Sequence, residues 1–151
     1  MKSVLMCGWA GIMGRVAGTG SGYECKPKGY YMSLSADGTC YLHVSTQKEK
    51  IEIDSLLTTE NASNITANQW YTLMLRFSGS TITGFVDKIQ ILNATDSTIA
   101  QGMVGLVSGS RNMKNNIAMF DNLMIKSVNG TPPSPSGFSQ KLHPIYKHIL
   151  K

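Results

Sequence analysis

From Tyr71 onward the chain alternates with a period of two: Tyr71, Leu73, Leu75 and Phe77 fall on one side, and Trp70, Thr72, Met74 and Arg76 on the other. Successive side chains of a strand point to opposite faces, so this spacing predicts a β-strand with one face in a core; a helix would scatter the same residues round its surface. Ser78-Gly79-Ser80 supplies a turn, and residues 81–86 read as the returning strand. The segment 29–36 shows the same period, with Tyr30, Met32 and Leu34 on one face. Residues 39–44 answer it, with Cys40, Leu42 and Val44 on one face and Tyr41 and His43 on the other. Between them Asp37-Gly38 predicts a type I′ hairpin turn, which needs positive φ at both central residues.

Further strands are predicted at 11–17, 51–57 and 88–92. The run 102–109 is apolar with interspersed glycines, which fits a tightly packed inner strand. Residues 116–128 are apolar on both faces and read as a covered last strand. The glycine-rich segment 18–22 and the polar segments 47–50, 58–67, 93–101 and 110–115 read as loops. Together these elements predict an all-β fold, an antiparallel β-sandwich of the jelly-roll kind.

Composition sets the limits of that reading. A chain of 151 residues makes one domain large enough to bury a core. The predicted domain occupies 1–128; from Asn129 a Pro/Ser linker leads into a basic tail, 129–151, read as disordered. Apolar residues make up 42% and charged residues only 15%, yet no apolar run reaches the roughly 20 residues of a transmembrane helix. The net charge of +5 is spread over scattered lysines, with no basic stripe interleaved with aromatics, which argues against nucleic acid as a partner. Cys7, Cys25 and Cys40 lack the spacing of a zinc site; one disulfide with a free thiol, or three thiols, both fit.

The sequons at Asn61, Asn64, Asn93 and Asn129 lean toward the secretory pathway. The first residues have a lysine and a short apolar stretch, the outline of a signal peptide, but Gly8 and Gly11 interrupt it and Arg15 follows at once. The segment 11–17 is therefore read as a strand of the domain.

Candidate chemistry is sparse. Glycoside hydrolysis needs two facing carboxylates, and the nine acidic residues fall mostly in predicted turns and charged edges. No G-x-S-x-G accompanies His43, His143 and His148. Asp121 stands inside an apolar segment, where a lone carboxylate is costly unless paired or metal-bound. Two readings stand side by side: a Ca²⁺ ligand, or a carboxylate on the wet face of its strand bonded to backbone N–H groups. Trp9, Tyr30, Tyr31, Trp70 and Tyr71 are aromatics that either pack in the core or stack on a sugar ring; Tyr31 and Trp70 are the sugar-binding candidates, Trp70 because it opposes the apolar face of its strand.

The motifs Ile12-Met13-Gly14-Arg15-Val16, Gly29-Tyr30-Tyr31, Ser33-Leu34, Asp37-Gly38-Thr39, Trp70-Tyr71-Thr72-Leu73, Leu75, Gly84, Gly102-Met103-Val104-Gly105-Leu106 and Phe120-Asp121-Asn122 follow one another in an order that resembles a known family. It is the C-terminal lectin-like domain of the galactocerebrosidases, glycoside hydrolase family 59. The resemblance implies a concanavalin- or laminin-G-like jelly roll lacking its first strand or strands. It implies a lysosomal enzyme, assisted by saposin, that removes galactose from galactosylceramide. The catalytic glutamates of that family lie on a TIM barrel, so no catalytic residue carries over and this chain alone is expected to be inactive. The implied partners are a carbohydrate or glycolipid head group and the catalytic barrel. The family's lectin-like domain holds Ca²⁺, and its F-D-N aspartate is similar to Asp121. Two other classes compete with this reading: a free-standing carbohydrate-binding module and a laminin-G-like protein-interaction domain.

Overall fold

The computed structural model describes residues 8–17, 28–48, 51–62, 65–66, 68–109 and 118–126. Among these residues eight strands follow in order: β1 (Trp9–Ala17), β2 (Lys28–Ser35), β3 (Thr39–Lys48), β4 (Ile51–Asn61), β5 (Leu73–Ser78), β6 (Thr81–Val86), β7 (Ile89–Thr95) and β8 (Met103–Gly109). They form a five-stranded sheet, β4-β3-β2-β1-β8, and a three-stranded sheet, β5-β6-β7, with every neighbouring pair antiparallel. The all-β antiparallel architecture is the one expected.

The alternation read from the sequence decides which side chains fill the gap between the sheets. Tyr30 and Met32 of β2 and Cys40, Leu42 and Val44 of β3 are buried from one layer; Ile82, Val86 and Leu92 meet them from the other. Along β5 the odd positions Leu73, Leu75 and Phe77 pack on this core, while Met74 and Arg76 face out. The sheets touch closely where β1 passes β5: a Cβ on Gly14 would lie 2.4 Å from the Phe77 ring, so only glycine fits there.

Several turns and ends differ from expectation. Asp37-Gly38 does not form a type I′ turn. Ser35 accepts from the Gly38 N–H at 2.9 Å and only Gly38 has positive φ (89°), giving a three-residue loop that Asp37 closes by accepting from the Thr39 N–H at 2.9 Å. The pair with positive φ at both positions is Asp87 (48°) and Lys88 (72°), between β6 and β7. Asp87 is anchored there by Thr72, whose N–H donates to the carboxylate at 2.8 Å and whose carbonyl accepts from the Asp87 N–H at 2.9 Å.

β4 extends to Asn61 and β7 to Thr95, so residues 58–61 and 93–95 are ladder, not loop. β8 is an edge strand with one described neighbour, β1, and not an inner one; Met103, Val104 and Leu106 are exposed. The described part of the expected last strand, 118–126, joins no ladder, and Met119, Leu123, Met124 and Ile125 are exposed. Apolar composition identifies a segment that needs cover but says nothing about which edge pairs with it. The loop 18–22, Cys7, Cys25 and the tail from Asn129 lie outside the described residues.

Candidate functional site

In an antiparallel sheet, residues directly opposite share a face. The core takes Tyr30, Met32, Cys40 and Leu42, so their neighbours Tyr31, Ser33, Tyr41 and His43 lie on the outer face of the five-stranded sheet. The register lines these residues into rows across the strands. One row runs His43, Tyr31, Met13, Gly105; the next runs Tyr41, Ser33, Gly11, Val107. A third brings Ser35, Trp9 and Gly109 together, with the Trp9 indole lying where a Cβ on Gly109 would sit at 2.4 Å.

The rings of Tyr41 and His43 stack at 5.9 Å between centroids and 12° between planes. Trp9, Tyr31, Tyr41 and His43 are all partly exposed, whereas Met13, Ser33 and Ser45 are buried among them. The outcome is a rigid platform of half-exposed rings with small residues, Ser33 and Gly11, at its middle. Such a surface offers flat apolar faces beside polar edges, which suits the C–H face and hydroxyls of a sugar.

Tyr31 and Trp9, both stacking candidates in the sequence, therefore stand within one aromatic group, and the register adds Tyr41 and His43 to it. Their common face was readable in the alternation, but their lateral alignment depends on register. Trp70 does not join them. It precedes β5 of the other sheet and is 65% exposed, while its neighbour Tyr71 turns inward, its hydroxyl accepting from the Thr66 N–H at 2.9 Å.

The acids of the described loops serve turns. Asp37, Asp87 and Asp96 each accept a backbone N–H, and for Asp37 the Thr39 amide holds the carboxyl below its usual range against the opposing effect of burial. Asp96 also accepts from the Tyr30 hydroxyl at 2.5 Å. Burial raises the carboxyl of Asp96, but the Tyr30 hydroxyl and the Thr98 amide outweigh it and the net direction is down. Cys40 is a free, buried thiol pushed up to about 11 by burial, which makes it a core side chain rather than a nucleophile.

Asp121 is exposed and off any strand, and its carboxylate accepts the N–H of Asn122 at 2.8 Å. Calcium needs six to eight oxygens around it. Among the described residues no three His, Cys, Asp or Glu side chains converge on a possible metal site, so a Ca²⁺ at Asp121 would take its other oxygens from backbone carbonyls, amide side chains or water. Of the sequon asparagines, Asn61 and Asn93 are exposed, on β4 and on the edge strand β7; Asn64 and Asn129 lie outside the described residues.

The fold is similar to that of a solved carbohydrate-binding module, CBM66 from Bacillus subtilis, at 20% identity and a TM-score of 0.52, over 68% of this chain. The chain spans 58% of the length of that structure. No match was found among curated proteins. Residues 3–128 match the family described as galactocerebrosidase, C-terminal lectin domain, and the chain belongs to that family.

Proposed function

We propose that this domain binds carbohydrate through the outer face of its five-stranded sheet. In this reading it is the non-catalytic lectin-like part of a galactocerebrosidase-like glycoside hydrolase whose whole form removes galactose from galactosylceramide. The observation that carries the reading is the row of rings around Tyr31, in a chain of the lectin-domain family. The natural ligand is then a galactoside or glycolipid head group, and the natural partner is a catalytic TIM barrel. A secretory, lysosomal or extracellular location follows from the same reading, with glycans at the exposed Asn61 and Asn93. Among the described residues no helix is long and apolar enough to cross a membrane.

The exposed apolar side chains of β8 and of 118–126 favour a protein contact on that part of the chain, as in a laminin-G-like module. Calorimetric titration with galactose, lactose and a soluble galactosylceramide head group, beside a glycan array, tests the proposal. Tyr31→Ala is expected to weaken galactoside binding by about tenfold, the loss of one stacked ring, with little change in melting temperature. Trp70→Ala is expected to leave the affinity unchanged. Failure of every galactoside to bind, or an unaltered affinity in Tyr31→Ala, refutes the platform.

A further inference from the structure

We infer that a hollow around Arg15, at one end of the sandwich, is a second binding site that takes a sulfate or carboxylate group carried on a sugar. It is separate from the outer-face platform and stands or falls without it. The hollow has a volume of about 210 Å³ and is lined by Arg15, Gly79, Ser80, Ser97 and Ala100.

The backbone places Arg15 there by an unusual route. The register of β1 slips against both neighbours around this residue, between Gly14 and Ala17 on the β2 side and between Met13 and Val16 on the β8 side. Arg15 itself has φ of 50°, a left-handed conformation rare for a long side chain. Gly102 accommodates the bulge: a Cβ there would lie 2.4 Å from the carbonyl carbon of Arg15 and from the oxygen of Val16. A bulge of this kind re-aims one side chain, and strained backbone of this kind concentrates at functional positions.

The guanidinium lies 4.6 Å over the centre of the Phe77 ring. Its Nη2 donates to the Gly79 carbonyl at 2.7 Å and its Nη1 to the Ile99 carbonyl at 3.1 Å. Two of its five N–H groups are thereby spent on holding it still, and Arg15 lines the hollow with donors to spare. Among the described residues no carboxylate pairs with it. Asp96, beside Ser97 in the chain, turns its Oδ1 to the Tyr30 hydroxyl and the Thr98 amide instead.

A fixed cation with no counter-ion among the described residues, two serines, and small residues that leave room make a seat for a compact anionic oxygen group. The surrounding space exceeds that of an oxyanion alone and leaves the sugar ring pointing to solvent.

Titration of the intact chain with galactose, a sulfated galactose, galacturonate and inorganic sulfate tests this, followed by amide chemical shifts at Ser80, Ser97 and Ala100. The anionic sugars are expected to bind at least about tenfold tighter than galactose, to shift those amides, and to weaken as salt rises. The preference between sulfate and carboxylate names the group. Arg15→Gln removes the charge but also the clamp on two loops. Ser97→Asp is therefore the decisive variant: it sets a carboxylate beside Arg15 at an exposed position and is expected to abolish the advantage of the anionic sugars without unfolding the domain. Equal binding of plain and charged galactose, indifference to Ser97→Asp, or inorganic sulfate binding as well as the sulfated sugar each overturn the proposal.

Discussion

Tyr30→Phe removes one oxygen atom from the tip of a core side chain. The side chain is fully buried, packs its ring against Phe77 at 5.6 Å, and carries its hydroxyl to the loop after β7. There the hydroxyl donates to Asp96 Oδ1 at 2.5 Å and accepts from the Ile99 N–H at 3.1 Å. A hydrogen bond to a charged group contributes about 1.5–3 kcal/mol, and a partly buried N–H left without an acceptor costs about 1 kcal/mol. Phenylalanine keeps the ring in place, so the expected loss is about 2–4 kcal/mol, a large share of the 5–15 kcal/mol typical of a domain.

The pH dependence checks the assignment. Asp96 has its folded carboxyl below the ordinary value, so its contribution is present above about pH 4 and is lost as pH falls through the folded value. The Tyr30 hydroxyl is raised by burial first and by the Asp96 hydrogen bond second, so its neutral form is favoured in the fold. That contribution is full below about pH 10 and is lost as pH climbs through the folded value. Urea unfolding of both proteins should show the gap widest near neutral pH and narrowing at both ends. A loss under about 0.5 kcal/mol at pH 7, or a gap that stays constant down to pH 3, refutes the reasoning.

Burial ranks two further truncations. Leu42→Ala, at a fully buried position, is expected to cost about 3–5 kcal/mol, and Leu75→Ala, half-buried on β5, about 1–3 kcal/mol. Equal losses in urea unfolding would contradict the packing described. A calcium ligand at Asp121 predicts that EDTA lowers the melting temperature and that added calcium restores it, with Asp121→Asn insensitive to both. An unchanged melting temperature in EDTA refutes the calcium reading and leaves Asp121 with its Asn122 amide contact alone.

The hairpin 73–86 was legible because period-two alternation, a glycine turn and a second strand of matching length all agree locally. The core faces of β2 and β3 were legible for the same reason, from Tyr30, Met32, Cys40 and Leu42. Turn type was not. Asp37-Gly38 has the preferred residues for a type I′ turn, but pairing of Leu34 with Cys40 puts the ends of β2 and β3 at Ser35 and Thr39 with three residues between them, and the register overrides the dipeptide. Asp87-Lys88 lacks a glycine yet takes that geometry because the Thr72 backbone holds it from outside the hairpin. The apolar runs at 102–109 and 116–128 were legible as hydrophobic, but not that the first is an edge strand and that the described part of the second, 118–126, joins no ladder, since sheet order is a long-range property. Arg15 gave only a weak signal, a charge beside a glycine in an apolar strand; its bulge depends on Gly102, which is far away in sequence.

The two proposed sites relate to the fold in opposite ways. Trp9, Tyr31, Tyr41 and His43 occupy positions that alternation turns outward, whatever residues stand there, so the platform asks little of the core. Its chemistry is therefore free to change without loss of the sandwich, and variants there should alter affinity while stability holds. Arg15 is different. Its side chain ties the β5–β6 turn to the connection before β8, its backbone is strained, and its guanidinium covers Phe77, which itself packs on Tyr30. Any change at Arg15 moves binding and stability together, which is why the separable variant lies at Ser97 on the rim. The same coupling implies the reverse effect: an anion seated on Arg15 would stabilise the end of the sandwich that the Tyr30–Asp96 contact also holds.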